Sequence, residues 1–230
     1  MTLSINRQTH FTQNHSKYNN VTPATKTGAL IGSIAGVGTA LTYVAKGHGL
    51  KPAVMFMQPA RTLKTFKNIE LKGKEVIAIA SSSILGGFIG GSVTDGKNSK
   101  YKAKEGIVQL IGNYIIPTLF VSGGIKMNKI MNKKFNFPPV VGPALFGCGM
   151  ASLIAGVITG NAVSKGLNRR LFNEDSPRKI NWKDWALQFD NVCLVTSISN
   201  SGTNIAKIAS RLIPIAHILP GYLTGIQKKN

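Results

Sequence analysis

The chain has 230 residues, 28 of them basic and 8 acidic, which gives a formal net charge of +20. Charged residues make up 16% of the chain, against about 25% in a typical soluble domain, and they lie between long uncharged runs. This distribution argues against an ordinary soluble domain and predicts a multi-pass membrane protein. Two cysteines, Cys148 and Cys193, are too few for a disulfide framework or a zinc site.

The positive charge has two interpretations. Loops beside membrane segments are commonly rich in Lys and Arg, and such loops attract anionic lipid headgroups. Nucleic-acid binding is the weaker interpretation, because aromatic residues are only 7% of the chain and do not alternate with basic residues as base-stacking surfaces require. We therefore expect the lipid bilayer, through its anionic headgroups, to be the partner of the charged loops.

The first membrane segment is predicted at residues 27–45, after a polar N-terminal tail, residues 1–26, that we expect to be disordered. The segment is uncharged and long enough to cross a hydrocarbon core of about 30 Å. Three glycines recur in it at four-residue spacing, which places them on one helix face: Gly28, Gly32 and Gly36. In the basic connection that follows, residues 60–69 are predicted to form either a short amphipathic helix on the membrane surface or a solvated loop.

The second segment, residues 76–94, has the clearest small-residue pattern. In lipid, burying one apolar side chain against another gains little over burying it in acyl chains, so helices associate through small residues that let backbones approach. The main stripe has a four-residue repeat: Ser82, Gly86 and Gly90. A second stripe lies beside it: Ser83, Gly87 and Gly91. The pattern predicts glycine-zipper packing.

The third and fourth segments are predicted at residues 106–125 and 140–163. Asn113 and Pro117 interrupt the third, since Pro removes a helical hydrogen bond and Asn needs a partner in lipid. A kinked helix that presents Asn113 to a pathway is one interpretation; an interhelical hydrogen bond with a tolerated kink is the favoured one. The fourth segment repeats the small-residue spacing: Ser152, Gly156 and Gly160.

These segments predict an all-α, polytopic transmembrane helical bundle of four spans, with glycine-zipper packing and one or two interfacial amphipathic helices. A fifth span is present if residues 192–206 also cross, and the Lys and Arg distribution does not fix the sidedness. The general plan, small-residue-striped spans joined by short basic connections, resembles in architecture the inner-membrane preprotein translocase family of mitochondria. That resemblance implies polypeptide translocation as one function.

Residues 165–230 are predicted to contain a basic loop, an interfacial helix anchored by Trp182 and Trp185, and a broken or amphipathic C-terminal helix. Three polar or flexible residues interrupt the last apolar run: Asn200, Gly202 and Asn204. A broken membrane helix, a re-entrant hairpin and a surface helix all fit, and a surface hairpin is favoured. Because a polar break at membrane depth is typical of a transporter's substrate site, these three residues join Asn113 and Pro117 as the candidate pathway.

The chain shows no constellation typical of an enzyme. Phosphate-binding, metalloprotease and nucleophile-elbow motifs are missing from the sequence. The four histidines are scattered, and the acids lie mainly between the apolar runs. We therefore expect no catalytic, cofactor-binding or metal-ligating residues, and no proton relay inside a span, which weakens ion-coupled transport.

Three functions remain from the sequence. The favoured one is a non-enzymatic integral membrane protein with an assembly or scaffolding role, in which small-residue faces pack within the chain, against a second copy or against another membrane protein. The first alternative is a channel or translocator for a small solute or polypeptide. The second is a membrane-lytic or pore-forming effector. A bacterial and an organellar inner membrane fit the sequence equally.

Overall fold

The structure, a computed structural model, describes residues 21–49, 69–135, 143–172 and 188–228. Every regular element in these ranges is helical, which confirms the all-α prediction. Four helical stretches are long and apolar enough to cross a membrane, as expected of a multi-pass protein: Pro23–Gly47, Gly73–Thr94, Gly96–Asn128 and Ala144–Leu171. Trp182, Trp185, nearly all of the proposed helix at 60–69 and most of the N-terminal tail lie outside the described residues.

Local sequence sets the starts of the first two helices. Helix α1 (Pro23–Gly47) begins with Pro, whose missing N–H is unneeded there, and the Thr22 hydroxyl accepts the N–H of Thr25 at 3.3 Å. Helix α2 (Gly73–Thr94) begins after Lys72, whose N–H donates to the Glu75 carboxylate at 2.8 Å.

The third stretch is continuous but irregular. A short turn leads into α3 (Ser99–Gln109), a π-helical turn (Leu110–Ile115) and α4 (Ile116–Phe135). The remaining helices are α5 (Pro143–Phe172), α6 (Phe189–Ser199), α7 (Asn204–Ala216) and α8 (Ile218–Gly225). Helices α6 and α7 form a hairpin, whose turn lies at residues 200–203.

Helices α1 and α2 run antiparallel with their backbones in contact. A Cβ atom added to Gly32 would overlap the carbonyl oxygen of Gly86, and one added to Gly28 would lie 2.6 Å from the carbonyl oxygen of Gly90. Gly36 faces the carbonyl oxygen of Ser82 in the same way. The structure therefore brings together the small residues of the first two predicted spans and leaves no room for side chains between them.

The second small face of α2 contacts α8. Gly87 lies against the carbonyl oxygen of Gly221, and Gly91 lies against that of Gly225. The Ser83 hydroxyl donates a hydrogen bond to the carbonyl oxygen of His217, the residue that joins α7 to α8. Helix α8 also contacts α1, where Gly225 lies against Ala29 and Gly221 against Ser33, so the three helices pack together. The surface-hairpin interpretation of the C-terminal segment stays a prediction.

The small face of α5 contacts α4 and the π turn. Added Cβ atoms at Gly156 and Gly160 would meet the Pro117 Cα and the carbonyl oxygen of Gly112, respectively. The Ser152 hydroxyl fills the space beside Gly124 in α4. Each predicted small-residue face therefore packs against another helix of the same chain.

The two ends of the C-terminal segment lie at opposite ends of α2. At one end, the Gly202 N–H donates to a Glu70 carboxylate oxygen at 2.9 Å, just before α2 begins. At the other, the Gln227 carbonyl oxygen accepts from the Lys102 ammonium at 3.2 Å, and that ammonium lies 2.9 Å from Asp95, which follows α2. Helices α7 and α8 together extend along the length of α2.

Apolar side chains divide between the interior and the outer surface. The interior cluster joins several helices and includes Val76, Ile79, Val121, Leu153, Leu194 and Ile213. Large apolar side chains also point outward from the candidate spans, among them Ile31, Leu85, Val93, Leu119 and Ile158. An outer surface of this kind is typical of helices that face acyl chains.

The α1–α2 contact predicts different effects of Ala at two glycines of α1. In Gly32→Ala the new methyl group meets the Gly86 carbonyl oxygen, so the helices must separate. We expect the free energy of unfolding to fall by about 1–3 kcal/mol. Gly38→Ala is the matched control, because its methyl group enters open space. Thermal unfolding in mild detergent measures both variants. Equal midpoints for Gly32→Ala and Gly38→Ala would contradict the contact.

Candidate functional site

Polar side chains from four elements meet inside the apolar bundle. They come from α2, the π turn with the start of α4, the start of α6 with the preceding residue, and the α7–α8 junction. All are nearly inaccessible to solvent: Ser83, Tyr114, Thr118, Gln188, Asp190, Asn191 and His217. We call this group the polar centre.

Pro117 explains one part of the polar centre. Proline has no N–H to donate to the carbonyl group four residues earlier, which is that of Asn113. The Ile116 N–H bonds instead to Ile111, five residues back, as a π turn requires. The Asn191 side-chain amide approaches the Asn113 carbonyl oxygen at 3.4 Å. Asn113 therefore contacts α6 through its backbone carbonyl group, while its side-chain nitrogen is buried without a hydrogen-bond partner among the described residues.

Asn191 links three elements. Its side-chain oxygen accepts from the Thr118 hydroxyl at 3.1 Å, and its amide donates to the Gln188 side-chain oxygen at 2.7 Å. The side chain is fully buried, and a buried amide is stable only when it is hydrogen-bonded. This network fixes the start of α6 against α4 and the π turn.

Asp190 and His217 form the ionisable part of the polar centre. His217 Nε2 lies 3.2 Å from Asp190 Oδ2, and the two side chains are 0% and 2% exposed. The other ring nitrogen, Nδ1, lies 2.7 Å from the Ile213 carbonyl oxygen. The Tyr114 ring packs against the imidazole with ring centroids 5.2 Å apart. Neither residue lies in one of the four candidate spans, so the expectation of no proton relay inside a span stays a prediction.

A second polar site lies at the α6–α7 turn. Glu70 accepts from the Ser201 hydroxyl at 2.6 Å and from the Gly202 N–H at 2.9 Å. Gly202 has a φ of +87°, a left-handed conformation that favours glycine. The Ser201 hydrogen bond, and then the Gly202 one, lower the pKa of Glu70; burial opposes them with a smaller effect, and the charge of Lys207 adds the least lowering.

The candidate pathway residues do not form one site. Asn113 and Pro117 border the polar centre, where the Asn113 carbonyl oxygen contacts Asn191. Asn200, Gly202 and Asn204 lie at the turn beside Glu70. The sequence interpretation missed Asp190, Asn191 and His217. One signal was present: adjacent Asp and Asn residues lie inside a run with helical apolar spacing. Nothing in the sequence indicated that His217 is the partner of Asp190, because His217 lies in a different part of the chain, between α7 and α8.

The described ranges contain no group of three or more His, Cys, Asp or Glu side chains that could hold a metal ion. No protein-family model, curated protein or solved structure matches the chain.

The Glu70 site predicts a pH dependence of stability. Because the pKa of Glu70 is lowered from its usual 4.5 in the folded protein, its contribution is present above about pH 4.5 and is lost as the pH falls through the folded-state pKa. Glu70→Gln should therefore unfold at a lower temperature than the parent at neutral pH, and the difference should shrink on acidification.

Ser201→Ala is the companion variant, because it removes one of the two hydrogen bonds to Glu70 and should show part of the same pH dependence. Thermal unfolding in detergent between pH 7 and pH 3 measures all three proteins. A parent–variant difference that is constant across this range would contradict the assigned role of Glu70.

Proposed function

We propose that the chain is a non-enzymatic integral membrane translocator of a small solute, with a path that passes the polar centre. The observation that supports this is the Asp190–His217 pair, fully buried among apolar helices. Ionisable groups at membrane depth are costly, face bundle interiors or water-filled cavities, and commonly mark ion or substrate pathways.

Broken helices provide further support. The third candidate span contains a π turn followed by Pro117, and His217 separates α7 from α8, three residues after Pro214. Both breaks lie at the polar centre. Discontinuous helices whose exposed backbone groups meet near the middle of the bilayer are a recurring construction of transporter sites.

We further propose that α7 and α8 form a fifth crossing. Their ends contact Glu70 and Lys102, at opposite ends of α2, and α8 contacts α2 through glycines as a membrane helix does. Helix α6 has 11 residues, a length of about 16 Å, and reaches only part of the way across. The closed end of the α6–α7 hairpin lies at the Glu70 end of α2, and its two open ends, at Asp190 and His217, lie at the polar centre.

The assembly or scaffolding role is the second candidate. It is supported by the α1–α2 contact, which we propose is glycine-zipper packing, and by the groove on its outer side. The groove has a volume of about 520 Å³ and is bordered by outward-facing apolar side chains, including Ile31, Leu85 and Ile89. In this role the groove takes a membrane helix of a second copy, and the polar centre only fixes the fold.

Solute flux in proteoliposomes separates the two candidates. A panel of potassium ions, amino acids and sugars is tested for entry. We expect at least one solute to enter faster than in protein-free vesicles, and Asp190→Asn to lower that rate at least about tenfold, the effect of about 1.4 kcal/mol.

Two variants serve as controls for flux. Asp95→Asn makes the same chemical change beside Lys102, away from the polar centre, and Asn204→Ala alters the exposed turn. Both should keep the parent rate. Equal rates in Asp190→Asn and the parent would contradict a path at the polar centre.

The native cysteines give an independent test of water access. Cys193 lies one helical turn after Asp190 and is 5% exposed, whereas Cys148 is exposed. In Cys148→Ser protein, a membrane-impermeant maleimide should label Cys193 slowly if the polar centre opens to water. Labelling of Cys148 in Cys193→Ser protein is the control. Complete protection of Cys193 would favour the scaffolding role.

A further inference from the structure

The hydrogen bonds of His217 determine where its first proton lies. Nδ1 is 2.7 Å from the Ile213 carbonyl oxygen, and a carbonyl oxygen can only accept a hydrogen bond. Nδ1 therefore carries a proton and donates it. The other nitrogen, Nε2, then has either a lone pair or a second proton, and the latter would make the ring a cation.

The contact between Nε2 and Asp190 Oδ2 requires another proton. The two atoms are 3.2 Å apart, and neither has any other hydrogen-bond partner among the described residues. Without a proton, two lone pairs would face each other in a site from which water is excluded, with a net charge of −1. A proton between them provides the missing hydrogen bond and makes the pair neutral overall.

We propose that Asp190 and His217 form a buried binding site for one proton, which at neutral pH resides on Asp190 Oδ2 and is donated in a hydrogen bond to neutral His217 Nε2. Moving this proton to Nε2 would create a carboxylate and an imidazolium, two charges that burial disfavours. Releasing it would leave one carboxylate charge without a counter-charge. The inference goes beyond the proposed function, because it applies equally to a translocator and to a scaffold.

The surroundings of the pair fit a neutral, protonated state. Among the described residues, Tyr114 on the π turn and Cys193 in α6 are titratable side chains close to the pair. Both are uncharged when protonated. Helix α2 contributes the Ser83 hydroxyl, which bonds to the His217 backbone. The cations of α7 lie elsewhere: Lys207 acts on Glu70, and Arg211 is on an exposed surface.

The proton joins the two open arms of the α6–α7 hairpin. Asp190 is in the first turn of α6 and His217 directly follows α7, while the closed end of the hairpin is held by Glu70. Loss of the proton replaces a hydrogen bond by repulsion between two acceptors. The proton therefore adds a hydrogen bond between the start of α6 and the end of α7.

Infrared spectroscopy tests the protonation of Asp190 directly. At neutral pH, where Asp is ordinarily ionised because its pKa is about 3.9, we expect a carboxylic-acid C=O band in the parent. Asp190→Asn should lack this band while keeping the fold, because its amide can still donate to Nε2. Asp95→Asn is the matched control and should keep the band. Absence of an acid band in the parent, or its persistence in Asp190→Asn, would overturn the proposal.

Nitrogen NMR of histidine-labelled parent protein gives a second test that needs no folded variant at position 190. His217 should show a protonated Nδ1 and an unprotonated, hydrogen-bonded Nε2 at neutral pH. His217→Gln identifies its signals among the four histidines. An imidazolium spectrum, with both nitrogens protonated, or a proton on Nε2 alone would refute the assignment.

Discussion

The structure depends on the contact of α2 with backbones on two sides. In a bilayer, burial of apolar side chains between helices gains little over their contact with lipid, so close packing requires that side chains be nearly absent. Ser82, Gly86 and Gly90 satisfy this requirement toward α1, and the adjacent stripe satisfies it toward α8. A single added methyl group on either face would separate two backbones.

The polar centre follows from this packing. Because α8 is held against α2, its preceding residue His217 is held beside Ser83 and faces Asp190. On the opposite side, Pro117 withholds a hydrogen bond from the Asn113 carbonyl group, and Asn191 approaches it. Close packing and helix breaks thus place hydrogen-bonding groups where water is excluded, and a membrane bundle tolerates them because most are paired with one another.

Part of this fold could be predicted from the sequence because lipid imposes a simple pattern. Uncharged runs of sufficient length predicted the four candidate spans, and four-residue spacing predicted which side of each helix is small. The spacing does not say which faces meet. Gly221 and Gly225 repeat the same spacing in α8, yet Pro214, Pro220 and the polar break before α7 favoured a surface interpretation of that segment.

The Asp190–His217 pair could not be predicted because the sequence does not show which helices contact each other. Asp190 and His217 occur in different helices, and only the tertiary packing of the α6–α7 hairpin brings them together. Conversely, Asn200 to Asn204 resembled a pathway break but form an exposed turn, in which the conformation of Gly202 and the carboxylate of Glu70 explain the polar residues. Polar residues within an apolar run therefore belong to a buried ionisable pair at Asp190 and to an exposed turn at residues 200–204.

The central claim is that α7 and α8 cross the membrane beside α2. The most direct test is labelling of single cysteines in sealed vesicles with an impermeant thiol reagent, after Cys148 and Cys193 are replaced by Ser. Asn204→Cys lies at the Glu70 end of the segment and Lys228→Cys at the Lys102 end. The account predicts that the two positions are labelled from opposite sides of the membrane, and labelling of both from the same side would contradict it.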